Sequence, residues 1–308
     1  MTTPAKAATE LRARVPGTTA LATLALLAVT AAWGSTFVLI KDALDRVPVA
    51  DFLAVRFAIA AVALWVIAPG AVRRLSPRAR RHGVLLGLVY GAAQLLQTAG
   101  LGHTAASVSG FITGMYVVFT PLLAAAIFRQ RVGRVAWFAV ALATVGLAAL
   151  SLQGFAIGLG ESLTLASAAL YALHIVGLGA WSTSKDAYGL AVLQMVVIAA
   201  VCAVGAVPGG LVLPPTTGDW VAMVYMALVA GALALVAQTW AQAHLTATRA
   251  AVVMTMEPVF AAFFAVLIGG ELLTTRMLVG GTLVLAAMYV VELGPRHARD
   301  AQVTHLVT

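Results

Sequence analysis

Long apolar runs alternate with short polar breaks along almost the whole chain. The runs fall at about 20–40, 49–68, 83–102, 106–128, 135–152, 161–181, 188–207, 219–242, 249–269 and 276–293. A helix needs roughly 20 apolar residues to cross the hydrocarbon of a bilayer, and most of these runs reach that length. They are rich in Ala and Leu, and apolar and polar positions do not alternate, so they predict helices rather than barrel strands. The pattern predicts an all-α membrane protein with ten transmembrane helices. Residues 1–19 are polar and basic (Lys6, Arg12, Arg14). The run at 20–40 is too long for the core of a signal peptide, so it reads as an uncleaved first span.

Composition narrows the class further. Of 308 residues 62% are hydrophobic and only 10% charged, where a soluble domain carries about 25% charge. Such a chain cannot cover a water-facing surface, and ten spans leave no room for a soluble domain. The net charge of +8 would raise nucleic acid as a partner for a soluble protein. Here position explains it. Numbering the connections alternately, fifteen of the 19 Lys and Arg residues fall on one side, and only Lys41, Arg46 and Arg276 on the other; Arg56 lies inside a span. That bias predicts an even number of spans in the cell membrane with both termini cytoplasmic. The cluster Arg73, Arg74, Arg78, Arg80 and Arg81 supplies much of it. Its first reading is a topology determinant, with a lipid- or partner-binding patch as the alternative. No nucleic-acid partner is expected. The single cysteine, Cys202, excludes an intramolecular disulfide and reads as packing.

Two stretches of the chain resemble each other. Gln97-Thr98, His103 and Ala106 reappear as Gln238-Thr239, His244 and Ala247, each 141 residues later. A weaker echo links Ala31-Ala32-Trp33 with Ala169-Leu170-Tyr171. The chain therefore divides into a five-helix half at 20–152 and another at 161–293, flanked by cytoplasmic tails at 1–19 and 294–308. Five is odd, so the second half enters from the opposite side. The expected architecture is an inverted repeat, in which one half rocks against the other about a central site.

Several motifs resemble one family. Trp33-Gly34-Ser35-Thr36-Phe37, Val55-Arg56-Phe57, and Glu257-Pro258-Val259-Phe260-Ala261 running to Gly270-Glu271 are similar to EamA-type members of the drug/metabolite transporter superfamily. The resemblance extends from about residue 20 to 293. It implies a ten-helix bundle with a cavity lined mainly by helices 1, 3, 4, 6, 8 and 9, movement of small metabolites, often outward, and a homodimer through helices 5 and 10. Members often carry a Gly-Glu-Arg-like turn after helix 4, where this chain has Arg129-Gln130-Arg131.

Candidate chemistry lies in polar residues inside the apolar runs. Glu257 falls about eight residues into the ninth run. A charge at mid-bilayer costs roughly 2.5–3.5 kcal/mol on insertion scales, so it must face protein or water. It reads either as a proton carrier or as a carboxylate fixing the helix beside Pro258. Arg56 stays charged and needs a partner, for which Glu257, a substrate carboxylate and the membrane interface compete. Polar stripes recur at helical spacing: Tyr90, Gln94 and Gln97 in run 3; Ser109, Thr113, Tyr116 and Thr120 in run 4; Ser167, Tyr171, His174 and Trp181 in run 6; Gln238 and Gln242 in run 8; Arg249 and Glu257 in run 9. Each stripe is one helix face. Facing one another they would enclose a polar pathway; separately they are interhelical hydrogen bonds. The expected substrate-binding set is Trp33, Tyr90, Gln94, Gln97, Thr113, Tyr116, Tyr171, His174, Gln238, Gln242 and Glu257, with Arg56 and Glu257 as the charge pair or coupling groups. Gly87 with Gly91 and Gly110 with Gly114 have the small-residue spacing of close helix contacts.

There is no P-loop, no His-Glu-x-x-His, no paired Cys and no Gly-x-Ser-x-Gly. No cofactor and no metal are expected. The reading is a carrier of small amino-acid-like or amphiphilic metabolites that works by alternating access, with export as the direction and Glu257 as a proton site. A membrane-embedded enzyme is the alternative, and it lacks a recognisable catalytic motif.

Overall fold

The computed structural model describes residues 16–127, 133–151, 158–183, 185–206, 210–245 and 253–293. Most of both terminal tails, the Arg129-Gln130-Arg131 turn, Ala247 and Arg249 lie outside these. Among the described residues the chain is helical, with no strand. The helical segments are α1 (Pro16–Leu44), α2 (Val49–Ile67), α3 (Pro77–Leu101), α4 (Ala106–Ile127), α5 (Arg134–Ser151), α6 (Leu159–Trp181), α7 (Ala187–Ala206), α8 (Thr217–His244), α9 (Glu257–Leu267) and α10 (Thr275–Leu293). Among the described residues seven are long and apolar enough to cross a membrane: α1 to α4 and α6 to α8. The apolar parts of α5, α9 and α10 are shorter, at Trp137–Ala149, Glu257–Leu267 and Thr275–Val290.

The distribution of polarity is inverted relative to a water-soluble protein. Leu24, Trp65, Trp137, Val204 and Leu267 are exposed, while Arg56, Gln94, Gln97, His174, Gln194, Gln238 and Glu257 are buried. Hydrocarbon solvates that outer surface better than water does. The buried polar groups then need partners or a wet interior.

Helix pairing is reciprocal between the two halves. α1 packs on α8 and α9, and α6 packs on α3 and α4; α2 meets α8 as α7 meets α3; α2 pairs with α7, α4 with α9 and α5 with α10. Exchanging α1–α5 for α6–α10 leaves this set of pairs unchanged. Glycine permits two of the closest approaches. Gly87 and Gly91 of α3 lie over Val197 and Val201 of α7, and Gly34 of α1 lies against the α9 backbone. A Cβ at Gly34 would fall 2.5 Å from Phe260 Cβ and 2.8 Å from the Ala261 nitrogen. Backbone cannot yield as a side-chain tip can. Gly34→Ala is expected to cost about 1–3 kcal/mol, read as a melting temperature several degrees lower for the detergent-purified protein.

Three backbone irregularities shape the interior. α4 breaks between Ala106–Thr113 and Tyr116–Ile127. The Met115 amide turns back to Ile112 O at 3.0 Å, and Phe119 resumes the helix on Met115 O at 2.9 Å. α9 opens with the same geometry 141 residues on: Met256 to Val253 O at 3.1 Å and Phe260 to Met256 O at 3.0 Å. Pro258 occupies the first turn of α9, where its missing N–H costs nothing. Glu257 is thus the first residue of a helix rather than a point eight residues inside one. In α8 a wide π turn runs over Leu228–Leu233, across a run of small residues, and opens the local carbonyl ladder.

The ends of the bundle alternate. Lys41 reaches Leu101 O (3.4 Å) and Thr104 O (2.5 Å), and Thr104 donates to Glu161 at 2.8 Å. Arg46 binds Asp219 (2.6 Å), and the Val212 amide binds Asp51 (3.0 Å). Glu271 accepts the Ala106 amide at 2.7 Å and the Ser107 hydroxyl. These bonds gather the connections after α1, α3, α7 and α9 and the start of α6 at one end. The connections after α2 and α6 meet at the other, where Tyr188 donates to Leu64 O at 2.8 Å and His82 stacks on Trp181 with centroids 4.3 Å apart.

Candidate functional site

A central cavity with about 610 Å³ of empty space, including solvent at its mouth, lies between the halves. Trp33, Thr36, Phe37 and Ile40 of α1 line it, with Arg56 of α2, and Tyr90, Gln94, Gln97, Thr98 and Leu101 of α3. The wall continues through Thr113 and Tyr116 of α4, Tyr171, His174 and Ile175 of α6, Gln238 of α8, Met254 and Glu257. Every residue of the expected binding set lies on this wall except Gln242. That amide lies against Met254 Sδ, 3.9 Å away.

The wall is organised by short hydrogen-bond chains. Tyr171 Oη donates to Gln97 Oε1 at 2.8 Å, and Gln97 Nε2 donates to Thr113 Oγ1 at 3.0 Å. The Gln97 amide thus bridges α6 and α4 through two hydroxyl groups. Tyr116 Oη donates to Glu257 Oε2 at 2.8 Å and approaches Met254 O at 3.2 Å. His174 Nε2 lies 2.7 Å from Gln194 Oε1, and Gln194 Nε2 donates to Leu190 O at 3.2 Å. With its amide group fixed as a donor, Gln194 presents its oxygen as an acceptor, which assigns the proton to His174 Nε2. The Tyr90 ring stands edge-on to Tyr171 and to His174, with centroids 5.4 and 4.9 Å apart.

Carbonyls within and just before the π turn of α8 take part directly. Trp33 Nε1 donates to Ala230 O at 2.9 Å, and Arg56 Nε donates to Met226 O at 3.2 Å. The Arg56 guanidinium lies 5.2 Å from the Phe57 ring centroid, a favourable cation–π distance. Arg56 and Glu257, 3% and 5% exposed, share the cavity without forming an ion pair with each other. Their charges are therefore held apart on one wall. Among the described residues the buried oxygens Gln94 Oε1, Gln238 Oε1 and Thr98 Oγ1 have no hydrogen-bond partner, so they offer acceptors to whatever occupies the space.

The lining is paired along the chain. At an offset of 141 residues, Gln97 corresponds to Gln238, Thr113 to Met254 and Tyr116 to Glu257; at 138, Trp33 corresponds to Tyr171, Thr36 to His174 and Phe37 to Ile175. All twelve line the cavity. The residues the stripes left out are Thr36, Phe37, Ile40, Thr98, Leu101, Ile175 and Met254. Thr36 and Phe37 follow Trp33 by one helical turn, and extending the two offsets reaches them.

Known proteins resemble this chain in sequence and in fold. The sequence matches the EamA-like transporter family over residues 20–152 and 158–293. A protein of Archaeoglobus fulgidus described as an uncharacterized transporter is 31% identical over 273 residues, spanning 88% of this chain and 86% of its own length. A solved crystal structure superposes with a TM-score of 0.62 at 19% identity, covering 89% of this chain and 97% of the other. At that identity the likeness concerns the fold.

Proposed function

The chain belongs to the EamA-like transporter family of the drug/metabolite transporter superfamily, and from that membership we propose that it exports small amino-acid-like or amphiphilic metabolites by alternating access. It is a multi-pass membrane transporter. In the proposed cycle α1–α5 and α6–α10 are two inverted halves that cross the cell membrane ten times, with both termini cytoplasmic. They rock about the central cavity. The reciprocal helix pairing supports this reading, as do the matched breaks at Met115 and Met256. The observation that carries it is the cavity wall itself, built from chain-related pairs and holding two separated buried charges. A zwitterion matches such a wall: Arg56 suits a carboxylate, and Glu257 with the free amide oxygens suits an ammonium group. A proton on Glu257 would couple the cycle to a pH gradient.

Uptake and efflux in proteoliposomes across a panel of amino acids and related metabolites test the proposal. Saturable, gradient-driven flux of one class is expected. Conductance far above carrier rates, or no flux of any member, would contradict it.

The end of the bundle tied by Arg46–Asp219, Asp51–Val212, Thr104–Glu161 and Glu271–Ala106 is the extracytoplasmic end in this orientation. Each of these contacts joins one half to the other, so the conformation is closed on that side. Arg46 is held in its charged form by Asp42 and Asp219. Replacing Arg46 and Glu271 together with Gln is expected to open that side. A thiol introduced by Ile40→Cys in a Cys202→Ser background should then react several-fold faster with an impermeant reagent added outside. An unchanged rate would exclude the latch.

A further inference from the structure

We propose that the turn between α2 and α3 is a binding site for an anionic phospholipid. The turn carries five arginines in nine positions, Arg73, Arg74, Arg78, Arg80 and Arg81. A charge bias that only set topology would be satisfied by any loose loop, yet this turn is built. A short 3₁₀ turn runs over Val72–Arg74, and Ser76 caps α3, accepting the Ala79 amide at 3.1 Å. Arg80 folds back over it, donating Nε to Val72 O at 3.2 Å and Nη2 to Arg73 O at 2.7 Å. Ala71 and Leu75 are buried, and Gly189 of α7 lies so close that a Cβ there would meet Ala71 O at 2.9 Å. Arg80 thus fixes the turn, and it and the other four all stand exposed. Among the described residues none of the four has a carboxylate within ion-pair distance.

The surface beside the turn fits the other part of such a molecule. Arg78, Arg81, Leu85 and Leu88 recur at i, i+3, i+7 and i+10, so the two cations head an exposed apolar stripe on one face of α3. The last turn of α2 is equally bare, with Trp65 54% and Ile67 72% exposed. Tryptophan at that level is an interfacial anchor. A headgroup phosphate lies against the arginines and the acyl chains against the two stripes. The partner is therefore a diacyl lipid with a net negative headgroup rather than free phosphate, which has no use for the apolar part.

The test is native mass spectrometry of the full chain in detergent with equal amounts of phosphatidylglycerol and phosphatidylethanolamine. The wild type should retain phosphatidylglycerol preferentially. The variant R73Q/R74Q/R78Q/R81Q should lose at least about tenfold of that retention, since each basic residue near a membrane surface contributes appreciably to anionic lipid binding. R80Q leaves the four free arginines in place and releases the turn, so retention should fall several-fold while charge changes by one. K6Q/R12Q/R14Q, which removes three charges from the tail, should change retention less than about twofold, the contribution of charge outside the site. The proposal is overturned by equal retention in the four-arginine variant, by an R80Q variant that behaves as wild type, by an equal loss in the tail variant, or by displacement of the lipid with inorganic phosphate alone.

Discussion

Glu257→Gln is expected to abolish transport driven by a pH gradient while leaving downhill exchange of the same substrate within a few-fold of wild type. Glutamine keeps the size of the side chain and an oxygen for the Tyr116 hydroxyl, which lies 2.8 Å from the carboxylate. Among the described residues it removes the one group on the cavity wall that combines a carboxylate with near-complete burial. The two assays separate two roles. If Glu257 only anchors the first turn of α9 beside Pro258, the variant should lose stability and both kinds of flux together. If it carries the proton, the protein stays folded and only the response to the gradient disappears. Tyr116→Phe removes the hydroxyl and keeps the ring, so it should weaken coupling less than Glu257→Gln does. Coupled transport unchanged in Glu257→Gln would end the proton-carrier role.

Arg56→Met should raise the half-saturating concentration of a carboxylate-bearing substrate about thirtyfold, the equivalent of ~2 kcal/mol for losing a charge-assisted contact. Stability should move little or increase. A buried cation whose carboxylate partner is removed is costly, but Arg56 is held by a carbonyl, Met226 O, and by the Phe57 ring, not by Glu257. Replacing it with a flexible apolar side chain of similar length relieves its desolvation. Arg56→Lys should not restore affinity, because a lysine lacks the Nε donor and the planar fork. A structural ion pair would give the opposite pattern, with a large fall in melting temperature and an unchanged half-saturating concentration. Thermal melts and concentration-dependent flux on the same preparations distinguish the two.

Much of this site was legible in the sequence because its signals are periodic. Tyr90, Gln94 and Gln97 share a helical face, and an apolar membrane solvent forces such a face inward, so the structure places all three on the cavity wall. Gln242 shows where that logic ends. It lies one turn beyond Gln238 on the same face, but the lining includes Gln238 alone, and Gln242 packs beside Met254. Periodicity gives a direction around a helix and not the length of wall along it.

The backbone irregularities were less visible, because hydropathy averages over them. The run at 249–269 reads as one span, and only hydrogen bonding shows that the helix beginning at Glu257 follows a turn at Thr255-Met256. The signal that would have found it is the repeat. Carrying the 141-residue offset ten positions beyond Ala106 aligns Tyr116 with Glu257, Val118 with Val259 and Phe119 with Phe260, and so aligns the two breaks. The π turn of α8 had no comparable mark. Small residues such as Ala230-Gly231-Ala232 permit it without requiring it, and the side-chain contact made to it is remote: the Trp33 indole of α1 donates to Ala230 O. Arg56 and Glu257 could be recognised individually as buried charges. Whether they touched depended on the packing of α2 against α8 and of α9 against α1, which no local pattern encodes.

The most direct measurement of the cycle is the two-sided accessibility of the cavity. Thr36→Cys in a Cys202→Ser background places one thiol on the cavity wall, in vesicles of known orientation. A charged, impermeant thiol reagent is then applied from each side in turn, with and without a transported substrate. The account predicts labelling from both sides, with substrate shifting the ratio between them. Labelling confined to one side under every condition would contradict it.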